Sequence, residues 1–174
     1  NWGRLVPQIV YYISAYCDMI ENGEIKNGDV MNVVVPTGNF GNILAAYYAK
    51  KMGVPVGKLI CASNANNVLT DFLKTGTYDR NRKFFTTTSP SMDILISSNL
   101  ERLLYHLTGS DDKAVAAMMD KLATEGKYTV SEEVLNALKE DFDAGCCSDD
   151  EVSLTIEKSF NEKNYLPDTH TSVA

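Results

Sequence analysis

Apolar residues recur at helical spacing near the start of the chain. Leu5, Ile9 and Ile13 fall four residues apart, which predicts an amphipathic helix with one face packed on a core. Proline is compatible with helical hydrogen bonding only in the first turn, so Pro7 places the predicted helix start close to Arg4.

A βαβ unit is predicted next. Residues 31–35 are a short run rich in valine, and a turn with two glycines follows them. A helical pattern over residues 43–52 stops at Gly53, and a second short apolar run covers residues 59–62. This order is typical of parallel strands joined by a right-handed crossover. The predicted fold class is α/β, a partial doubly wound, mainly parallel sheet with flanking helices.

Helix-start signals dominate the second half of the chain. Ser98 with Glu101, and Ser148 with Glu151, match the capping box, in which the two side chains satisfy free amide groups at a helix start. Two further helices are predicted at residues 110–122 and 131–142. Acidic residues concentrate after Gly109, which indicates a separate, solvated helical subdomain.

The predicted domain organisation has three parts. Residues 1–109 form part of an α/β domain, residues 110–164 form a mostly helical C-terminal subdomain, and residues 165–174 return to the first domain. The chain starts without Met, and its first residues run directly into a predicted helix. We therefore expect it to be an internal segment of a longer protein.

Composition narrows the possible functions. Of the 174 residues 44% are hydrophobic, so the chain can bury a core. A net charge of -7 argues against a nucleic-acid partner, because nucleic-acid binding needs a basic surface. No apolar run approaches the roughly 20 residues of a membrane helix, so we expect a cytoplasmic protein without membrane contact. The four cysteines lack zinc-site spacing, and we expect reduced thiols and no metal.

The turn after the first predicted strand has the features of an anion site. Gly38 and Gly41 would allow positive φ angles and bring several N–H groups together where the next helix presents its positive end. Because the turn contains no Lys or Arg, a bound anion would meet backbone amides and the side chains of Thr37, Asn39 and Asn42. Such a site suits one phosphate monoester better than a triphosphate.

Other phosphate-binding motifs do not fit this turn. A Walker A loop would need Gly-Lys followed by Ser or Thr at its end, whereas Gly41 is followed by Asn42. A dinucleotide-binding turn would need a third glycine and an acidic residue about 20 residues further on. The pattern alone leaves two interpretations open, a monoester site or a tight strand-to-helix turn without a ligand.

Five segments resemble motifs of one enzyme family. Residues 35–42, Val-Pro-Thr-Gly-Asn-Phe-Gly-Asn, resemble the phosphate loop of threonine synthases, which are pyridoxal-phosphate enzymes of the tryptophan synthase β-subunit fold type. The other four segments resemble further motifs in the family's order: residues 1–8, residues 62–66, the pair 89–94 and 97–102, and residues 165–171. The resemblance covers nearly the whole chain.

The resemblance implies a cofactor, a reaction and a set of binding residues. The whole protein would bind pyridoxal 5'-phosphate (PLP) and convert the small-molecule substrate phosphohomoserine and water to threonine and phosphate, by β,γ-elimination and replacement. The residues that the resemblance assigns to the PLP phosphate are Gly38, Asn39, Phe40, Gly41 and Asn42, with Thr37 as an additional candidate. The whole protein would be a monomer or a dimer.

The resemblance also implies that essential groups lie outside this chain. In this family the lysine that binds PLP belongs to a segment upstream of Asn1, and the group facing the ring nitrogen lies downstream of Ala174. None of the twelve lysines here has a matching context. We therefore expect the chain alone to be inactive and, with apolar edges left by missing strands, to self-associate.

Three further residues are candidates for substrate binding: Asp93, Arg102 and His170. Arginine can hold a phosphate through two parallel hydrogen bonds, and His170 lies in a matched motif just before a predicted helix start. The structural alternative for Arg102 is exposure to solvent or an ion pair with Asp93. His106, near a predicted helix end, is expected to be structural.

Two other functions stay open at this point. A threonine-synthase-like phospholyase would degrade a phosphoamino acid to a keto acid. A non-enzymatic phosphate-binding module would use the same turn without any chemistry.

Overall fold

The computed structural model describes residues 2–174, and Asn1, the first position of the 1–8 motif, lies outside the described residues. Along the chain the elements are α1 (Trp2–Glu21), β1 (Met31–Pro36), α2 (Gly41–Lys51), β2 (Val56–Ser63), α3 (Val68–Thr75), β3 (Thr77–Asp79), a 3-10 turn (Pro90–Met92), α4 (Leu100–Leu107), α5 (Asp112–Thr124), β4 (Lys127–Thr129), α6 (Glu132–Asp141), β5 (Phe142–Cys146), α7 (Asp149–Lys163) and a 3-10 turn (Thr171–Val173).

The strands β1, β2 and β5 form a parallel sheet with β2 in the centre. Val35 of β1 pairs with Cys61 of β2, and Cys61 pairs on its other side with Ala144 of β5. Strands β3 and β4 form a second, antiparallel pair. The predicted strand, turn, helix and strand are confirmed as β1, α2 and β2, and the α/β fold class with a mainly parallel sheet is confirmed.

Helix α2 lies in the core and fixes the position of the turn before it. Five of its side chains have 0% exposure: Ile43, Leu44, Ala45, Ala46 and Ala49. A helix that is apolar on most sides is typical of a buried position. Leu5 and Tyr12 of α1 belong to the same core cluster, and the sheet packs against α2 as well. The N-terminus of α2, at Gly41, is therefore held between α1 and the end of β1.

The segment 110–164 is not separate from the sheet. It is mostly helical, but it also contains β5, in which Phe142 and Ala144 pair with Leu59 and Cys61 of β2. The expectation of a separate, solvated subdomain is wrong, because β5 is part of the central sheet. The sequence did not predict β5, since this short strand has a charged second residue and a weak apolar pattern. The domain boundaries of the whole protein stay a prediction.

One of the two predicted capping boxes is confirmed. The N–H of Glu151 donates to Ser148 Oγ (3.4 Å), and the N–H of Ser148 donates to Glu151 Oε2 (2.7 Å). The predicted box of Ser98 and Glu101 is wrong, because α4 begins only at Leu100 and has no side-chain cap. Asn99, the residue before Leu100, donates its side-chain amide to the Asn39 carbonyl instead.

Membrane and metal features can be stated for the described part of the chain. No helix between residues 2 and 174 is both long enough and apolar enough to cross a membrane. The same residues hold no group of His, Cys, Asp and Glu side chains arranged to bind a metal ion.

Burial raises the pKa of Cys61 to about 12, so this core thiol stays protonated.

Candidate anion-binding site

The candidate site is the turn between β1 and α2, residues 37–42, called here the glycine loop. Its first residue is anchored to the sheet: the N–H of Thr37 donates to the Ala62 carbonyl (2.8 Å), and Thr37 Oγ1 donates to the Val35 carbonyl (2.6 Å). The loop therefore leaves the sheet at a fixed point. Because the hydroxyl proton of Thr37 is used internally, its side chain has no proton to offer an anion.

Phe40 gives the loop its shape. Its φ angle of 61° lies in the left-handed region, which residues other than glycine rarely adopt. The ring is 1% exposed and lies 5.7 Å from the ring of Phe142. Burial of this large side chain offsets backbone strain of about 1–3 kcal/mol. A left-handed residue in such a turn directs successive N–H groups toward one concave point, which suits an anion.

The loop presents N–H groups without partners. Within residues 2–174, the backbone N–H groups of residues 38–42 have no hydrogen-bond acceptor. They lie at the N-terminus of α2, where the helix dipole adds positive potential and no side chain caps the helix. Unpaired donors at a helix start are a ready anion-binding site.

Close packing, and not a positive φ angle, requires glycine at position 38, which corrects the expectation from the sequence. Neither Gly38 nor Gly41 has a positive φ angle; Phe40 has it instead. A Cβ at Gly38 would lie 2.6 Å from the carbonyl oxygen of Ser91. One at Gly41 would lie 3.4 Å from Asn99 Nδ2, an ordinary van der Waals contact. The loop is thus pressed against the segment that precedes α4.

Tyr12 sets the orientation of the Asn42 side chain. The Tyr12 hydroxyl contacts Asn42 Oδ1 and lies 3.2 Å from the Asn42 carbonyl oxygen. Burial raises the pKa of Tyr12, so the hydroxyl remains protonated and donates to Oδ1. With its oxygen engaged by Tyr12, the Asn42 side chain, which belongs to a residue lining the adjacent cavity, has only its NH₂ group left as a hydrogen-bonding group.

A cavity of about 450 Å³ opens beside the glycine loop. The polar side chains that line it together with the loop come from α1, α4 and the residues just before α4: Arg4, Gln8, Ser98, Asn99, Glu101 and Arg102. The two guanidinium groups provide cationic donors at a site where the loop provides only neutral ones. The cavity lining therefore combines neutral donors of the loop with the side chains of Arg4, Arg102 and the acidic Glu101.

Asp93 lies outside this cavity lining. Its carboxylate accepts hydrogen bonds from Asn64 Nδ2 (2.8 Å), Asn66 Nδ2 (3.0 Å), and the N–H (2.9 Å) and Oγ1 (2.8 Å) of Thr87. These contacts tie the turn after β2 to the segment that carries Ser91. The alternative that Asp93 forms an ion pair with Arg102 is wrong. These neutral donors occupy the Asp93 carboxylate instead.

His170 also lies outside the cavity lining. Its Nε2 accepts the N–H of Ser91 (3.2 Å), and its Nδ1 lies 3.6 Å from Asp168 Oδ1. It therefore supports the residue whose carbonyl oxygen packs against Gly38. Of the three substrate candidates, the structure places only Arg102 at the cavity, and substrate binding by Asp93 and His170 stays a prediction.

The sequence analysis did not predict several contacts of the site. Arg4 and Gln8 belong to the 1–8 motif, and Tyr12 continues their four-residue spacing on one face of α1, a repeat that could have indicated Tyr12. Ser97 and Asn99 contact the loop from about 60 residues away in sequence, and no local pattern indicates such contacts.

Comparison with known proteins gives a consistent result along the whole chain. The chain is 49% identical over 175 residues to threonine synthase-like 1 of Homo sapiens, covering 100% of this chain and 24% of that protein. It is 44% identical over 186 residues to threonine synthase of Saccharomyces cerevisiae, covering 99% of this chain and 36% of that protein. No model of a protein family matches.

Solved structures give the same relationship. The PLP-bound threonine synthase of Brucella melitensis superposes with a TM-score of 0.93 at 43% identity, covering 99% of this chain and 36% of that chain. The yeast threonine synthase superposes with a TM-score of 0.91 at 41% identity, with the same coverage. The chain is therefore similar over its whole length to threonine synthases, and it spans 24% and 36% of the two named relatives.

The close approach at Gly38 leads to the first prediction. Gly38→Ala should weaken binding of inorganic phosphate to the full-length protein by about tenfold, close to 1.4 kcal/mol, because the new Cβ forces the loop away from Ser91. Isothermal titration calorimetry measures the affinity. Gly145→Ala is the matched control, since a Cβ there meets nothing within 4 Å. Equal affinities of the Gly38→Ala and Gly145→Ala variants would contradict the proposed role of the packing.

The contact between Tyr12 and Asn42 leads to the second prediction. Tyr12→Phe removes the hydroxyl that orients the Asn42 amide, so phosphate affinity should fall about three- to tenfold, the effect of roughly one hydrogen bond. Tyr11→Phe is the matched control, because Tyr11 is the neighbouring residue and is 58% exposed. The same calorimetric titration compares the two variants, and an unchanged affinity in Tyr12→Phe would refute the role.

Proposed function

We propose that this chain holds the phosphate group of PLP in a threonine synthase. In this proposal the whole protein converts O-phospho-L-homoserine and water to L-threonine and phosphate. The observation that carries the proposal is the row of unpartnered N–H groups at residues 38–42, at the start of a buried helix and beside a cavity. A related structure, from Brucella melitensis, is described as PLP-bound.

The donors of the glycine loop fit a phosphate monoester. Backbone N–H groups, the positive end of α2 and the Asn42 amide can share the charge of one phosphate without a lysine or arginine in the loop. The buried anchors at Phe40 and Thr37 keep these donors in place before a ligand arrives. A preorganised site of this kind holds a cofactor at low entropic cost.

The cavity also offers a place for the substrate. PLP, when bound, supplies an electron-accepting ring, while the protein supplies position and charge. We assign Arg102 of α4 and Arg4 of α1 to the phosphate of phosphohomoserine, because both line the cavity and guanidinium groups bind phosphate through paired hydrogen bonds. The neutral loop and the charged wall would then receive different phosphates.

The lysine that binds PLP is assigned to the part of the protein outside this chain. Among the described residues, no lysine lines the cavity. The chain alone is therefore expected to be inactive, which matches its coverage of only 24% and 36% of two relatives. A cytoplasmic location, and a monomeric or dimeric whole protein, belong to the same proposal.

A second candidate is a threonine-synthase-like phospholyase that produces a keto acid. It is kept beside the first because the relative at 49% identity carries the name threonine synthase-like 1, whereas the yeast protein at 44% identity carries the name threonine synthase. The two candidates share the PLP site and differ in the product. A non-enzymatic phosphate-binding module would share the loop alone.

The third prediction separates these candidates in the full-length protein. Incubated with PLP and phosphohomoserine, the protein should release phosphate and form threonine in equal amounts, measured by phosphate assay and amino-acid chromatography. A keto acid in place of threonine would favour the phospholyase. Absence of both activity and PLP absorbance would contradict the proposed function and leave the phosphate-binding module as the remaining candidate.

A further inference from the structure

We propose that Ser97 and Asn99 are positioning residues that hold the peptide groups of the glycine loop in their anion-binding orientation. The inference deepens the proposed function and rests on it, because the anion concerned is the PLP phosphate. Neither residue needs to touch the phosphate in order to act. Their effect comes through the carbonyl oxygens of Gly38 and Asn39.

Three hydrogen bonds reach these carbonyl oxygens from the segment before α4. Ser97 Oγ donates to the Gly38 carbonyl at 2.9 Å. The Asn39 carbonyl receives two donors from Asn99, the backbone N–H at 3.1 Å and Nδ2 at 2.8 Å. Both carbonyls are thereby turned toward residues 97–99.

Peptide geometry converts these contacts into an orientation of the N–H groups. In a trans peptide group the C=O and the following N–H point in opposite directions, and no cis peptide occurs in the described residues. With the Gly38 carbonyl turned toward Ser97, the N–H of Asn39 points the other way. In the same manner Asn99 directs the N–H of Phe40. From Trp2 to Ala174 neither N–H finds an acceptor.

Ser97 is itself fixed by the core. Ser97 is only 7% exposed, and its N–H donates to the Tyr78 hydroxyl (2.8 Å). Tyr78 is 1% exposed, donates to the Leu95 carbonyl (3.1 Å) and stacks on Tyr128 with ring centroids 5.4 Å apart. The donor to the Gly38 carbonyl therefore has little freedom to move.

Asn99 connects the loop to the charged wall of the cavity. Arg102 Nε donates to Asn99 Oδ1 at 3.3 Å, while Asn99 Nδ2 donates to the Asn39 carbonyl. The guanidinium thus sets which end of the Asn99 amide faces the loop. The residue proposed to bind the substrate phosphate and the loop proposed to bind the PLP phosphate share this one amide.

Loss of these donors would weaken phosphate binding specifically. Without Ser97 Oγ, the peptide after Gly38 can rotate, because glycine restricts backbone torsions less than any other residue. Rotation would replace an N–H donor by a carbonyl oxygen, which repels an anion. The affinity for a ligand without a phosphate would stay the same.

The fourth prediction uses this difference in the full-length protein. The ratio of the Kd for pyridoxal to the Kd for PLP, measured by absorbance titration, reports the contribution of the phosphate. Ser97→Ala should lower this ratio about tenfold. Asn99→Ala should lower it about threefold, since the backbone N–H of Asn99 keeps one bond to Asn39.

Two exposed residues of α7 provide matched controls. Ser153→Ala removes another serine bond to a backbone carbonyl, Ser153 Oγ to Asp149 (2.9 Å), and Asn161→Ala removes an exposed asparagine. Both controls should keep the wild-type ratio. Because the readout is a ratio of two affinities, a partly unfolded sample does not change it. If Ser97→Ala does not fold, the Asn99→Ala variant, at a more exposed position, tests the positioning role alone.

The outcomes separate this inference from the function on which it rests. A lowered ratio in Ser97→Ala and Asn99→Ala, but not in the controls, supports the positioning role. Wild-type protein that prefers PLP, with variants whose ratio is unchanged, overturns the positioning role and leaves the proposed function intact. Wild-type protein that binds PLP no better than pyridoxal overturns both.

Discussion

The burial of Phe40 is the contact on which the rest of the site depends. Its ring lies in the core against Phe142 of β5, so its backbone is held in the left-handed region between the end of β1 and the start of α2. Helix α2 can then begin only at Gly41, with its first N–H groups unpaired. One hydrophobic contact thus links the third strand of the sheet to the polar surface of the glycine loop.

Around that anchor, the neighbouring segments orient the loop without adding charge to it. Tyr12 of α1 takes the oxygen of the Asn42 amide, and Ser97 and Asn99 take the carbonyl oxygens of the loop. In the proposed function, this leaves neutral donors for the cofactor phosphate, while the guanidinium of Arg102 is available to a second phosphate. In the same proposal, neutral and charged donors on different walls would give the two phosphates distinct positions in one cavity.

Sequence reasoning predicts what depends on neighbouring residues and misses what depends on distant ones. The β1, α2 and β2 unit follows from local periodicity, and the Ser148 capping box from a four-residue pattern. β5 was missed because the hydrophobic signal of residues 142–146 is short and interrupted by Asp143. The roles of Ser97 and Asn99 depend on contacts across about 60 residues, which only the folded chain brings together.

The central claim is that the backbone N–H groups of the glycine loop hold the PLP phosphate. Amide hydrogen exchange of the full-length protein, resolved to residues 38–42 by mass spectrometry or NMR, tests it most directly. PLP should slow exchange at Asn39 and Phe40, because these groups gain an acceptor, while pyridoxal should leave them fast. PLP binding with unchanged exchange at residues 38–42 would contradict the account.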